Sequence, residues 1–385
     1  MGTLNVEPAS TPDYRRLAEK RLPRFLFDYI DGGANDELTM AANVADFRAV
    51  RLKQRVMRDV SSIDTSTTLA GDRSAMPLVL APVGMAGMMA RRGEVQGARA
   101  AQAAGVPFTL STVGVCTLEE VRAASARPFW FQLYMLRDRD LVRALLQRAR
   151  ASGCSVLEFT VDLAVPGMRH RDTRNGMYGG TSARAWLARA WQLGTRPAWV
   201  IDVGLRGKPH VFGNLAEMVS DPTNMDAYRT WVGEQFDASV TWRDIEWLRG
   251  IWDGKLLIKG VLEADDARAA VDAGADGVIV SNHGGRQLDG VASAISKLRP
   301  VVEAVGERCE VLVDGGVRNG LDIVRALALG ARGVQIGRPW VWAAAARGEA
   351  GLAALLAVFQ REMAVAMALM GVSRVQQINP GLLDG

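Results

Sequence analysis

The sequence predicts an α/β fold, a (β/α)8 TIM barrel with an N-terminal helical cap and a long insertion after its fourth strand. Three observations predict it. From Pro77 onward, short apolar runs alternate with helical patterns, as successive βα units of a parallel sheet do. Eight such runs lie near 78–81, 107–110, 129–134, 156–161, 256–259, 277–281, 310–313 and 333–336. Nearly every run ends in a polar or glycine-containing cluster, and a closed barrel would gather those ends at one mouth.

At 385 residues the chain exceeds the usual size of one domain, but barrels of this kind do so as a single unit. Residues 1–385 are therefore read as one domain: a helical cap over 1–75, the barrel over 77–378, and an insertion over 175–216. Hydrophobic residues make up 49% and charged residues 23%, which suits a soluble protein with a large core. Cys116, Cys154 and Cys309 are odd in number and far apart, so they fit reduced thiols better than a disulfide framework or a metal site. No basic segment followed by an apolar core opens the chain, and no uncharged apolar run reaches spanning length, so neither secretion nor integral membrane insertion is expected. The net charge of +4 is spread along the chain, which argues against nucleic acid as a partner.

In chain order, Pro12–Leu22 and Arg24–Tyr29 have helical spacing, Gly32-Gly33 ends the second segment, and residues 34–46 give a third helix. A cap of this kind brings Tyr29 to the cleft, although its spacing suits a buried helix tyrosine equally well. The strand ends read Pro82-Val83-Gly84, Ser111-Thr112, Gln132-Leu133-Tyr134, Thr160-Val161-Asp162, Lys259-Gly260, Ser281-Asn282-His283, Asp314-Gly315-Gly316 and Gly337-Arg338. Strands four and five start 100 residues apart, at 156 and 256, which places the insertion between them.

The most informative stretch is Ser281-Asn282-His283-Gly284-Gly285-Arg286-Gln287-Leu288-Asp289, after the apolar run Gly277–Val280. Its two glycines permit a tight turn that leaves an imidazole and a guanidinium projecting from one loop. Imidazole is a usable base near neutrality, and a guanidinium grips a carboxylate through two parallel hydrogen bonds. The plain alternative is a satisfied loop histidine beside an arginine paired with Asp289. The last two strand ends, Asp314-Gly315-Gly316-Val317-Arg318 and Gly337-Arg338, each lead into a helix and resemble the anion site that barrels build after strands seven and eight. A held phosphate beside a polar mouth suggests FMN. No G-x-G-x-x-G opening of a dinucleotide-binding unit is present.

These stretches, with Lys259-Gly260, Phe131–Tyr134 and Thr160–Asp162, closely resemble the FMN-dependent L-2-hydroxy acid oxidising enzymes, over about Tyr14 to Ile378. Leu80–Gly84, Ala90–Gln96 and Phe108–Val113 look most like the bacterial lactate dehydrogenase branch. The resemblance implies that His283 is the base and Asp162 its partner. It implies that Arg286 and Arg169, with Tyr29, hold the substrate carboxylate and that Tyr134 bonds the substrate oxygen. Lys259 would lie by the flavin N1–O2 edge. Pro82, Val83, Gly84, Ser111, Gln132, Thr160 and Ser281 would line the isoalloxazine site. Asp314 would take the ribityl chain, and Gly315, Gly316, Arg318, Gly337 and Arg338 the phosphate. His170 and His210 fall outside the pattern.

The implied reaction is oxidation of an L-2-hydroxy acid, L-lactate before (S)-mandelate, with a quinone before oxygen as acceptor and a homotetramer as assembly. A flavin barrel that oxidises nothing, such as an isomerase, is the alternative of another class. Between Asn175 and Ala216 one acid, Asp202, stands against Arg184, Arg189, Arg196, Arg206 and Lys208, with Trp186, Trp191 and Trp199 on the apolar side. Such a cationic, tryptophan-bearing segment suits a bilayer interface, which places the enzyme peripherally on the cytoplasmic side of the inner membrane. A soluble cytoplasmic enzyme whose insertion covers a subunit or the active site is the alternative.

Overall fold

A computed structural model describes residues 7–175, 177, 182–216, 231 and 233–384. A hairpin of β1 (Thr67–Leu69) and β2 (Asp72–Ser74) precedes the barrel. Eight parallel strands follow in chain order: β3 (Leu78–Leu80), β4 (Thr109–Ser111), β5 (Phe129–Leu133), β6 (Cys154–Thr160), β7 (Lys255–Val261), β8 (Gly277–Val280), β9 (Glu310–Val313) and β10 (Gly333–Ile336). Each pairs with its sequence neighbour, β10 pairs with β3, and a parallel bridge from Leu80 to Phe108 joins β3 to the entry of β4. The sheet therefore closes. All eight expected strands are present.

Side chains alternate in and out along each strand, and the inward row changes character as it rises. Low in the barrel, Val79, Trp130, Val156, Leu257, Ile279 and Leu312 form an apolar cluster. Two residues further along these strands stand Gln132, Glu158, Lys259, Ser281 and Asp314, and Thr160 follows Glu158. An apolar floor thus carries a polar mouth.

Leu69 and Ala70 of the hairpin complete that floor. The hairpin was not among the expected strands, because three-residue strands carry too little alternation to register. What specifies it is its turn, with Ala70 at φ 45° and Gly71 at φ 89°, together with its docking. Ala70 N–H donates to Glu310 at 2.8 Å, and Trp130 Nε1–H donates to Asp72 at 2.8 Å.

The cap holds helices α1 (Thr11–Arg21), α2 (Arg24–Asp31) and α3 (Leu38–Ala49). The third begins at residue 38 rather than 34. Asn35 and Glu37 adopt positive φ (43° and 64°), and the turn is stitched to the site loops by Ala34 N–H to Gly285 O (2.8 Å) and Asn35 N–H to Met168 O (2.7 Å). At the other end of the chain, helix Arg338–Leu369 is long and apolar enough to cross a membrane by length and composition. It is kinked at Arg347–Gly348, it packs on α1 and on the helix Gly93–Ala104, and Leu352, Leu355, Phe359 and Met363 are among its buried residues.

The insertion departs from its expected description at one tryptophan. Trp186 and Trp191, on the helix Ala183–Gly194, are 68% and 74% exposed, but Trp199 is 5% exposed and donates from Nε1 to Met88 O at 2.9 Å. Trp199 pins the segment to the body of the protein, and Asp202 ties it further through Arg21 at 2.6 Å.

Candidate active site

A cavity of about 510 Å³ occupies the C-terminal mouth of the barrel. Of the residues expected to form the site, Tyr29, Pro82, Val83, Gly84, Tyr134, Thr160, Arg169, Lys259, His283, Arg286, Asp314, Gly315, Gly316, Arg318, Gly337 and Arg338 line it. Four stand behind the wall. Asp162 bonds His283, Ser281 bonds Lys259, Ser111 Oγ accepts from the N–H of the lining residue Val113 at 3.3 Å, and Gln132 accepts from Ser111 at 3.0 Å.

The loop after β8 shows why its composition is so particular. His283 has φ 58°, an uncommon conformation for a residue with a Cβ, of the kind that clusters at functional sites. Its N–H donates to Ser281 Oγ at 3.0 Å, and its Nδ1 lies 2.8 Å from Asp162 Oδ1. Burial raises the pKa of Asp162, but the charge and hydrogen bond of His283, with Lys259, outweigh it and hold the carboxyl below its usual range. An ionised carboxylate keeps the proton on Nδ1 and leaves Nε2 as the basic nitrogen.

The remaining residues of the loop fasten it on three sides. Asn282 and Asn43 of α3 exchange amide hydrogen bonds at 2.8 and 2.9 Å. Gln287 donates to Asp162 O and Val165 O (2.8 and 2.9 Å) and accepts from Gly167 N–H (3.1 Å), which clamps the loop that carries Asp162 and Arg169. Asp289 is not the partner of Arg286. It accepts the N–H groups of Asp36, Leu38 and Thr39 at the start of α3, at 3.1, 3.3 and 2.8 Å.

Arg286 and Arg169 flank one aromatic ring, with guanidinium carbons 5.0 and 5.6 Å from the centroid of Tyr29. Arg286 Nη1 donates to Tyr29 O (2.6 Å) and Gly32 O (2.9 Å), and Arg169 Nε lies 3.1 Å from Asp172. The result is a cationic end to the cavity, oriented from the cap. Tyr134 packs on Phe236 at 5.1 Å; burial, then the charge of Asp162, raises its pKa, so its phenol stays protonated and can donate.

Between the two ends Lys259 Nζ donates to Ser281 Oγ (2.7 Å) and pairs with Asp314. Burial lowers its pKa, but Asp314, Asp162 and Glu158 raise it further, so it stays charged. At the far end Arg338 gives its protons to backbone carbonyls of Gly32, Gly284 and Asp31 (2.7, 2.8 and 3.2 Å), and Arg318 lies 5.4 Å over Trp342. Burial lowers Arg338 to about 9, helped by Arg286 and Arg318, and lowers Arg318 to about 10. Such crowded cations favour an anion between them.

Gly315 and Gly316 face this end at φ 78° and 101°, and a Cβ on Gly316 would stand 2.1 Å from Asn43 O. The helix after them differs from expectation as an anion donor. In Gly320–Ala328, Asn319 caps Asp322 N–H (2.8 Å) and Glu362 takes Gly320 N–H (2.8 Å), so these two amides are already engaged within the protein.

The profile of the FMN-dependent dehydrogenase family matches residues 18–385. This chain belongs to that family. An L-lactate dehydrogenase of Caulobacter vibrioides is 57% identical over 375 residues, 97% of each chain. One from Alcaligenes faecalis is 52% identical over 97% of this chain and 98% of its own. Among solved structures, the monotopic membrane protein (S)-mandelate dehydrogenase superposes with a TM-score of 0.92 at 36% identity, covering 98% of this chain and 99% of that one. A mandelate oxidase does so at 0.82 and 37%, covering 98% of each. The chain is an FMN-dependent 2-hydroxy acid dehydrogenase, and the isomerase alternative is set aside.

The residues of this FMN-dependent dehydrogenase fit the cofactor on their own chemistry. Gln132 Nε2, Thr160 Oγ1 and Asp314 Oδ1 are buried without hydrogen-bond partners among the described residues, and buried polar atoms of native proteins rarely stay so. They supply both donors and acceptors, as a flavin edge and a polyol chain require. Sequence reasoning missed Gln335, Phe236 and Val113 in the wall, and Glu158 beneath it. Glu158 and Gln335 left a signal, since each is a polar residue inside an apolar strand; Phe236 left none, because it lies between the insertion and β7, outside any strand end.

Proposed function

We propose that this enzyme oxidises L-lactate to pyruvate and passes the electrons to a quinone. The observation that carries the reaction is His283, backed by Asp162, facing the same cavity as Arg169, Tyr29 and Arg286: a base and a carboxylate clamp within one enclosure. Arg286 and Arg169 hold the substrate carboxylate, with Tyr29 fixing both guanidiniums. Tyr134 donates to the substrate oxygen. His283 Nε2 receives the proton that the substrate gives up, and Asp162 stabilises the resulting imidazolium. FMN, when bound, takes the electron pair. Lys259 would supply a fixed positive charge beside it, which favours the reduced form. Pro82, Val83, Gly84, Ser111, Gln132, Thr160 and Ser281 would shape the ring site, Asp314 would bond the ribityl chain, and Gly315, Gly316, Arg318, Gly337 and Arg338 would hold the phosphate. These assignments treat residues 1–75, the barrel and the insertion as one domain.

Lactate is favoured by the relatives at 57% and 52% identity, and mandelate by the structural neighbours. Gly84 is closely packed and does not itself open space for the larger acid: a Cβ there would meet Val113 Cγ2 at 2.8 Å and Tyr29 Oη at 3.4 Å. A quinone fits the exposed Trp186, Leu187 and Trp191, which suit contact with the cytoplasmic face of a membrane. Oxygen is the second acceptor, in view of the mandelate oxidase likeness. The test is anaerobic bleaching of the flavin by L-lactate and by (S)-mandelate, then reoxidation by a soluble quinone and by oxygen. Lactate should bleach faster and quinone should reoxidise faster; the reverse order in either step reverses that assignment. The homotetramer is tested by light scattering.

A further inference from the structure

Below the cavity the barrel holds a carboxyl group that the chemistry above it does not use. Glu158 is fully buried in the middle of β6, and by alternation it points inward like Val156 and Thr160. Its Oε2 accepts from Gln335 Nε2 at 2.8 Å and, more distantly, from Thr109 Oγ1 at 3.5 Å, while Oε1 has no partner among the described residues. Gln335 in turn lines the cofactor cavity, and its own Oε1 is buried without a partner. One amide therefore connects the buried acid to the place where FMN binds.

The other groups facing Glu158 are few. From β7 comes Lys259 and from the end of β9 comes Asp314, both ionisable, while β4, β5 and β10 contribute the neutral Thr109, Gln132 and Gln335. Lys259 is the one cation of the group and is shared with Asp314 and Asp162. An isolated carboxylate in such a place is costly, so its charge depends on how much of the field of Lys259 it receives.

We propose that Glu158 is a redox-linked proton site: reduction of FMN draws a proton from solvent on to Glu158, and reoxidation releases it. Two electrons placed on the flavin bring negative charge to the cavity that Lys259 and Gln335 line. That charge competes for Lys259 and disfavours a carboxylate below it. Burial raises the carboxyl of Glu158 to about 7, against Lys259 and the Gln335 hydrogen bond and with help from Asp314. Added negative charge on the flavin raises it further. Between the oxidised-state value and the higher reduced-state value, reduction therefore takes up one proton more than the flavin alone does. Below that window Glu158 is protonated in both states and contributes nothing.

The test is the midpoint potential of the wild-type holoenzyme and of Glu158→Gln, measured by equilibration with redox dyes between about pH 6 and 9. It uses no hydroxy acid or quinone, so its outcome is independent of the substrate and acceptor assignments. The wild-type potential should fall more steeply with pH above about 7 than below it. Glu158→Gln, which resembles the protonated acid, should keep the shallow slope throughout, matching wild type at low pH and lying above it at high pH. Gln335→Leu removes a hydrogen bond that favours the charged form, so its break should move to higher pH. Equal slopes in wild type and Glu158→Gln, with only FMN content or melting temperature changed, would mean a structural role and overturn the proposal. If Glu158→Gln fails to fold, a wild-type line without a break overturns it equally.

Discussion

His283 combines a strained backbone with a fixed ring: φ 58°, an N–H held by Ser281, and Nδ1 held by Asp162. Nothing in that arrangement reaches the turn at Gly315–Gly316 or Arg318 and Arg338, the groups proposed to hold the cofactor phosphate. His283→Gln should therefore retain FMN and lose turnover by roughly 10²–10⁴, the usual cost of removing a general base. Flavin absorbance and steady-state rates of the purified variant check this; near-wild-type turnover would take His283 out of the chemistry. Arg286 is a different case because one of its nitrogens already serves the carbonyls of Tyr29 and Gly32. A lysine has one nitrogen for both tasks, so Arg286→Lys should raise KM and lower kcat although the charge is kept. Unchanged constants would place the substrate carboxylate elsewhere. At this scale the convergence of His283, Arg286, Arg169 and Lys259 on one cavity was legible, because such polar residues at the ends of apolar strands have few other uses. Glu158 was not, since an acid inside an apolar strand declares its burial only when the neighbouring strands are in place.

At the scale of elements, the unit is the cap helix α3 against two barrel loops. Asn43 reaches Asn282 through its side chain and crowds Gly316 through its carbonyl, so one residue of the cap is in register with both the catalytic loop and the anion turn. Gly316→Ala would place a Cβ 2.1 Å from Asn43 O at φ 101°, whereas Gly290→Ala carries a positive φ of 86° with nothing within 4 Å. Strain at positive φ costs about 1–3 kcal/mol at either site. The excess destabilisation of Gly316→Ala over Gly290→Ala, in denaturant melts of the FMN-free proteins, measures the contact with α3. Equal effects would show that α3 yields freely. The barrel strands were readable because each is an apolar run bounded by turn chemistry. The start of α3 was not, because its turn is set by distant groups: Asp289, the Gly285 carbonyl and the Met168 carbonyl.

At the scale of the whole molecule, the question is what the insertion does outside the barrel. On the helix Ala183–Gly194, Trp186, Leu187 and Trp191 are 68%, 60% and 74% exposed over one broad arc, and Arg184 and Arg189 share the helix. Composition alone grouped Trp199 with them, but position divides the tryptophans into two that face outward and one that anchors the segment. Removing residues 176–215 would therefore uncover Met88 and its surroundings as well as the outward face, and a loss of activity would be uninformative. The sharper variant changes Trp186, Leu187 and Trp191 together to serine and leaves Trp199 in place. It should keep its flavin and its anaerobic reduction by hydroxy acid, because none of the three residues lines the cavity. Its co-sedimentation with anionic vesicles should fall sharply, since interfacial binding scales with the apolar area inserted. Added salt should weaken the wild type only in part, because screening acts on the arginines and spares the tryptophans. A triple variant that still sediments like wild type would refute membrane contact through this helix, and one that changes the assembly in light scattering would assign the same face to a neighbouring subunit.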